Sequence, residues 1–195
     1  MPLIKKPHFH ILGAGAIGSL VAFKLSQYNI GFSLIGREQK AVDCDFTDLA
    51  GTNHRLQSQA ITNIDFLIIT TKSTQAQAAF NTIKSRLHAH SIIVCLFNGL
   101  GAQQIILQST QCAVLFATTT EGVTKVAPGH YAHKGQGQTL VDKAILQFIP
   151  AIHLPTLFMP VGNIQKHLFD KLIINSLINP LTVIFNCKNG QLLNN

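Results

Sequence analysis

The chain has 195 residues, of which 47% are hydrophobic and 12% are charged. This length and hydrophobicity suffice for one domain core with a small appendage, and they exclude a disordered protein. The 15 Lys and Arg against 8 Asp and Glu give a net charge of +7, but the basic residues are scattered, with no run longer than Lys5-Lys6 and no aromatic platform. A nucleic-acid partner is therefore not expected, and the surplus suits small anions such as a phosphate-bearing cofactor.

The cysteines and histidines show no pattern of a metal or redox site. Four cysteines lie far apart without a Cys-x-x-Cys motif, which indicates reduced, buried thiols and a cytoplasmic protein. The histidine pairs His88-x-His90 and His130-x-x-His133 lack accompanying carboxylate or cysteine ligands, so no metal site is predicted. No segment reaches the roughly 18 uninterrupted apolar residues of a membrane span, and no membrane association is expected.

The first predicted unit is a strand, a glycine-rich loop and a helix. Residues 9–12 form a short apolar run, and apolar residues then recur at helical spacing from Ile17 to Tyr28. A second strand is predicted at 32–35. This order is the beginning of a βαβ unit.

The alternation continues along the chain. Strands are predicted at 65–71, 91–97 and 114–118, with a helix at 74–87, which is the pattern of a parallel sheet covered by helices. The Gly-, His- and Gln-rich residues 122–141 predict a hairpin or loop that closes the sheet.

A domain boundary is predicted in the proline-rich residues 150–162. Helical spacing starts at Ile164 and continues to Pro180, which is expected to force a kink or a new helix. The predicted fold class is α/β: a Rossmann-type parallel sheet domain over residues 1–162, followed by the first helices of an all-α domain over residues 163–195.

The glycine motif reads Gly13-Ala14-Gly15-Ala16-Ile17-Gly18. The first glycine permits a tight turn, the second lets a pyrophosphate approach the backbone, and the third allows close packing of helix on strand. Because the motif follows a strand and opens an amphipathic helix, it predicts dinucleotide binding; a merely structural glycine turn is the alternative.

Arg37 stands where the second strand ends. When the cofactor lacks the 2′-phosphate, an Asp or Glu side chain at this position usually hydrogen-bonds the ribose hydroxyls. An arginine, such as the one in this chain, can instead pair with a 2′-phosphate. The sequence therefore favours NADP(H) over NAD(H). The alternative is that Arg37 is a solvated loop residue.

Two further polar residues follow predicted strands. Lys72 comes after the strand that ends at Thr71, and Asn98 comes after Phe97. Ligands of open α/β sheets bind at these carboxyl ends, and the Asn98 amide could both donate to and accept from a nicotinamide. Taken alone, each is equally compatible with ordinary loop chemistry.

Lys171, Asn175 and Asn179 recur every fourth residue and therefore share one face of the predicted helix, opposite an aliphatic face. In a cleft, such a stripe could orient a substrate through its amides and donate a proton from the lysine. The alternative is a solvated polar face.

Together these motifs resemble the ketopantoate reductase (2-dehydropantoate 2-reductase) family. The similar segments are 13–18, Arg37, Thr71-Lys72-Ser73, Phe97-Asn98-Gly99-Leu100-Gly101, Thr118-Thr119-Thr120-Glu121-Gly122, Lys171 to Thr182, and Asn186 to Gly190.

The resemblance implies NADPH-dependent reduction of ketopantoate to pantoate, in the pantothenate pathway. Lys171 would be the general acid for the ketone oxygen, and Asn175, Asn179 and Asn189 would hold the substrate. Asn98 would touch both cofactor and substrate. Contacts to the cofactor would come from the glycine motif, Arg37, Lys72 and Gly122.

The resemblance also implies a shortened C-terminal domain, because family members continue into a full helical domain that supplies a serine and a glutamate to the site. The aliphatic face of the Lys171 helix would then lack packing partners, and apolar surface of that kind favours association with another copy of the chain. A non-catalytic NADP-binding remnant and a reductase of another small 2-keto acid remain open alternatives.

Overall fold

The computed structural model describes residues 7–61, 63–149, 157–187 and 192. The strands are β1 (Phe9–Leu12), β2 (Phe32–Ile35), β3 (Cys44–Thr47), β4 (Asn53–Leu56), β5 (Ile64–Ile69), β6 (Leu87–Leu96), β7 (Ala113–Thr119), β8 (Gly122–Ala127), β9 (His130–Gly135), β10 (Thr139–Asp142) and β11 (Met159–Val161). The α-helices are α1 (Ala16–Gln27), α2 (Ser73–Ile83), α3 (Ala102–Gln108) and α4 (Ile164–Ile184), and short 3-10 helices span Lys84–Arg86 and Lys143–Gln147.

The main layer is a seven-stranded sheet in the order β11-β10-β7-β6-β5-β1-β2. The five strands from β2 to β7 in this order run parallel, and β10 runs antiparallel to β7. The predicted Rossmann-type parallel sheet is confirmed. The chain starts at β1 in the interior of the sheet and winds outward in both directions, which places a crevice at the carboxyl end of β1.

The strands are apolar because both faces of the sheet are covered. All four residues of β1 and of β2 are buried, as fits parallel strands between two layers of helices. On one side, Leu20, Val21 and Leu25 of α1 join the core. On the other, Phe80 of α2 and Ile106 of α3 join a second core cluster, to which Ile164 and Leu168 of α4 also belong.

A second sheet of four strands, in the order β4-β3-β9-β8, packs beside α1. Of the hairpin or loop predicted in residues 122–141, a hairpin forms, as β8 and β9, but it lies in this small sheet. The chain then returns to the main sheet as β10. The sequence did not predict β3 and β4, because each has only four residues and only one residue of β4 is buried, so neither contains a hydrophobic run long enough to identify a strand.

The C-terminal segment contributes one strand and one helix. β11 lies within the proline-rich segment and pairs with β10, whereas residues 150–156 are outside the described part. α4 begins at its N-cap Asn163, whose side chain accepts from the Lys166 N–H at 3.1 Å. It continues through Pro180 to Ile184, so of the kink or new helix expected at Pro180, no new helix begins there. Within the described residues after 162, α4 is the one α-helix, and the division at 162 stays a prediction.

None of the helices within the described ranges combines the length and the apolar character needed to cross a membrane.

Candidate functional site

The glycine loop between β1 and α1 needs its glycines for different reasons. Gly13 has φ +118°, a conformation that side chains disfavour, and a Cβ there would lie 2.9 Å from the Thr71 nitrogen. At Gly18 a Cβ would lie 2.0 Å from the Gly13 carbonyl oxygen. Around Gly15, by contrast, a Cβ would meet nothing within 4 Å. Two glycines therefore close the turn, and the middle one faces open space.

The loop is held by hydrogen bonds from three other segments. The Gly13 N–H donates to the Ile35 carbonyl at 3.0 Å, and the Thr70 hydroxyl donates to the Gly13 carbonyl at 2.9 Å. The buried Tyr131 of β9 donates from its hydroxyl to the Ala14 carbonyl at 2.7 Å. The Tyr131 contact could not be predicted from the sequence, since it joins residues 117 positions apart.

The N-terminus of α1 suits an anion. Its N-cap residue, Gly15, makes no side-chain capping bond, and the first turn carries no acidic residue. The first N–H groups of a helix lack intrahelical partners and favour negative charge. With the open space at Gly15, this arrangement fits the pyrophosphate of a dinucleotide.

Arg37, Lys72 and Asn98 each follow a parallel strand of the main sheet. They come after β2, β5 and β6, and each side chain is exposed. The carboxyl ends of β2, β1, β5 and β6 lie along one edge of the sheet. The structure thus places these three residues on the same edge as the glycine loop, available to solvent and to a ligand.

Lys171 reaches this edge from α4. Its ammonium donates to the carbonyl oxygen of Thr119 at the end of β7, and β7 is the neighbour of β6. Burial lowers the pKa of Lys171 below its ordinary value. A lysine with a lowered pKa at the carboxyl edge of the sheet is a candidate proton donor.

The predicted asparagines differ in their surroundings. Asn175 lies one turn beyond Lys171 and is half-buried, whereas Asn179, one turn further, is exposed. Asn189 lies outside the described residues. The face of α4 that carries Lys171 therefore becomes progressively more open to solvent along the helix.

A buried charged cluster next to this edge was missed by sequence reasoning. The Glu121 side chain is 1% exposed; one of its oxygens accepts from Lys24 of α1 and the other from His133 of β9, at 2.7 Å. Burial by itself raises the pKa of Glu121, but the hydrogen bonds from Lys24 and His133 outweigh it, so the pKa is lowered. The sequence offered one sign: Glu121 lies within the family-like segment 118–122.

The histidine pairs contribute hydrogen bonds within the fold. The rings of His88, His130 and His133 hydrogen-bond to Asp65, Thr47 and Glu121, respectively. Within residues 7–61, 63–149, 157–187 and 192, no group of three His, Cys, Asp or Glu side chains is placed to hold a metal ion.

Comparison with known proteins agrees with this geometry. Residues 9–144 match the family model described as ketopantoate reductase PanE/ApbA, and residues 163–195 match the model of its C-terminal part. The chain is 35% identical over 193 residues to 2-dehydropantoate 2-reductase from Vibrio cholerae, covering 94% of this chain and 65% of that protein.

Solved structures share the fold. The PanE/ApbA family ketopantoate reductase from Ralstonia eutropha JMP134 superposes with a TM-score of 0.80 at 21% identity, covering 92% of this chain and 65% of that one. The dimeric ketopantoate reductase from Staphylococcus aureus has a TM-score of 0.80 at 22% identity, covering 97% and 72%.

Proposed function

The chain belongs to the ketopantoate reductase family, and from this premise we propose that it catalyses NADPH-dependent reduction of 2-dehydropantoate to pantoate in pantothenate biosynthesis. The observation that carries the proposal is the position of Lys171, which is bonded to Thr119 at the sheet edge that bears the glycine loop. The chain spans 65% of the length of its Vibrio cholerae relative, so the activity is proposed for the fold and site described above.

In this proposal Lys171 protonates the ketone oxygen as the carbonyl is reduced. Bound NADPH supplies the hydride. The Thr119 carbonyl holds the Lys171 ammonium toward the sheet edge. Because the pKa of Lys171 is lowered, this ammonium is a better acid than that of an exposed lysine. Asn98, Asn175, Asn179 and Asn189 would orient the substrate through their amides.

The proposal is tested by mixing protein, NADPH and ketopantoate and following the absorbance of the reduced nicotinamide. Turnover above the protein-free rate supports it. Turnover with another 2-keto acid but not with ketopantoate would identify a reductase of different substrate class. Binding of NADPH by titration without turnover on any member of a 2-keto acid panel would identify a non-catalytic binding protein.

Replacing Arg37 with alanine is expected to weaken NADPH binding by about 10- to 100-fold and to leave NADH binding unchanged. The reason is that a guanidinium pairs with the 2′-phosphate, which NADH lacks. Fluorescence titration with both cofactors measures the effect. Lys40→Ala is the matched control, because Lys40 is an exposed cation on the same loop whose ammonium is bonded to Glu38. Equal weakening of both cofactors would contradict the assignment of Arg37.

We also propose that α4 mediates self-association. Its aliphatic residues are strongly exposed, with Leu177 at 62% and Ile174 at 53%, and the Staphylococcus aureus relative is dimeric. The sedimentation coefficient should rise with protein concentration, and Leu177→Glu should remove that rise. Ile105→Glu on α3, where Ile105 is 50% exposed, is the control. Identical behaviour of the two variants and the wild type would contradict association through α4.

A cytoplasmic location forms part of the same proposal. The four cysteines are free thiols, and Cys44, Cys95 and Cys112 are buried in the core, which suits a reducing compartment.

A further inference from the structure

We propose that Glu121 is a positioning residue for Lys171, and that it acts by fixing the backbone of residues 119–121. This inference rests on the proposed role of Lys171 as proton donor. It assigns a purpose to a buried carboxylate that the proposed reaction does not otherwise use.

The position of the Lys171 ammonium depends on backbone geometry. Lys171 donates to a main-chain carbonyl, that of Thr119. A side-chain acceptor, such as a carboxylate, could rotate to stay in contact with a moving lysine. A carbonyl moves only when its peptide moves. Whatever fixes the turn that follows β7 therefore fixes the position of the ammonium.

That turn is tied to the 136–139 segment on one side. The Thr120 N–H donates to the Gln138 carbonyl at 2.9 Å, and the Thr139 hydroxyl donates to the Thr119 hydroxyl at 2.9 Å. The two segments are in close contact, because a Cβ at Gly137 would lie 2.5 Å from the Thr120 carbonyl carbon. These bonds hold the turn against the 136–139 segment.

Glu121 ties the same turn to the rest of the molecule. Its carboxylate accepts from Lys24 of α1, from His133 of β9 at 2.7 Å, and from the Gly137 N–H at 3.0 Å. Its own N–H donates to the Thr119 hydroxyl at 3.2 Å. The carboxylate thus joins the glycine-loop helix, the small sheet and the 136–139 segment at the residue two positions from the Lys171 acceptor.

The charge of Glu121 is needed for this junction. All three groups around the carboxylate point hydrogens at its two oxygens, and the side chain is buried. A glutamine of the same size would turn an NH₂ group toward at least one of these donors. The resulting clash of donors would displace the turn without leaving a cavity.

The experiment measures Lys171 directly, so it does not depend on turnover. The full chain is labelled with acetic anhydride over a range of pH, and mass spectrometry of the Lys171 peptide gives the titration of that amine. In Glu121→Gln the ammonium should lose its fixed acceptor and gain contact with water. The pKa of Lys171 should then rise toward its ordinary value, because burial is what lowers it.

The opposite outcomes exclude the proposal. If Glu121 acted on Lys171 directly as a negative charge, its removal would lower the pKa of Lys171. If it were only structural, the melting temperature would fall while the Lys171 titration stayed unchanged. Lys24→Gln, which removes one partner of the carboxylate from α1, should also raise the pKa of Lys171, and this variant serves if Glu121→Gln does not fold.

Asp48→Asn is the matched control. Asp48 lines the same cavity as Glu121 and likewise accepts from a histidine, His54, at 2.8 Å, but its other bond is to the Thr52 N–H, away from the 119–121 turn. Its replacement should leave the Lys171 titration unchanged. A rise equal to that in Glu121→Gln would overturn the proposal.

Discussion

Lys171→Met is expected to lower kcat for ketopantoate reduction by about 10²- to 10⁴-fold, the usual contribution of a general acid, while the Kd for NADPH stays unchanged. Methionine keeps the aliphatic length of the side chain but cannot donate a proton. The Thr119 carbonyl would lose its donor, with little other change in packing. Steady-state kinetics and a cofactor titration on the same preparation separate the two effects.

The pH profile of the wild type should identify the same group. Lysine is the acid only while protonated, so kcat should fall as pH rises through the pKa of Lys171. Because burial lowers this pKa, the fall should begin at a lower pH than for an exposed lysine. The basic limb should be absent from the residual activity of Lys171→Met.

Lys166→Met is the control on the same helix. Lys166 is exposed and its ammonium is bonded to Asp170 at 2.7 Å, one turn along α4. Its removal should cost no more than an exposed helical ion pair and should leave kcat unchanged. Equal losses in the two variants would mean that α4 needs positive charge in general, and Lys171 would not be the acid.

The parallel sheet was predictable from sequence because its strands are buried on both faces. Continuous apolar runs such as residues 92–97 give a strong signal, and the glycine motif marks the first crossover. The small sheet lacked this signal because its strands β3 and β4 have four residues each and only one residue of β4 is buried. Its existence depends on pairing with β9, a strand more than 70 residues later in the chain, and local sequence patterns do not contain that information.

The candidate site likewise contains residues that could be predicted from the sequence and residues that could not. Arg37, Lys72 and Asn98 could be placed because each follows a strand, and parallel strands end at one edge. The supporting contacts of Tyr131 and Glu121 could not be placed, since both join segments far apart in sequence. Site residues that directly follow a strand can therefore be predicted from the sequence, whereas the residues that support them can be identified only from the fold.

Gly15→Ala is expected to raise the Kd for NADPH by about two orders of magnitude without lowering the melting temperature. Gly15 has φ −103° and ψ −165°, which alanine adopts easily, and a Cβ there meets nothing within 4 Å. The fold should therefore accept the methyl group. A pyrophosphate held at the α1 N-terminus needs that space.

Gly18→Ala is the informative contrast in the same loop. Its Cβ would lie 2.0 Å from the Gly13 carbonyl oxygen and 2.8 Å from the Thr70 hydroxyl, so the strand and helix must separate. The expected cost is about 3 kcal/mol of unfolding free energy, measured by denaturant titration. Gly15→Ala is thus expected to weaken binding with the fold intact, whereas Gly18→Ala is expected to destabilise the fold itself. The pair separates a glycine that leaves space for a ligand from one that leaves space for the chain. Unchanged NADPH affinity in Gly15→Ala would contradict pyrophosphate binding at this loop.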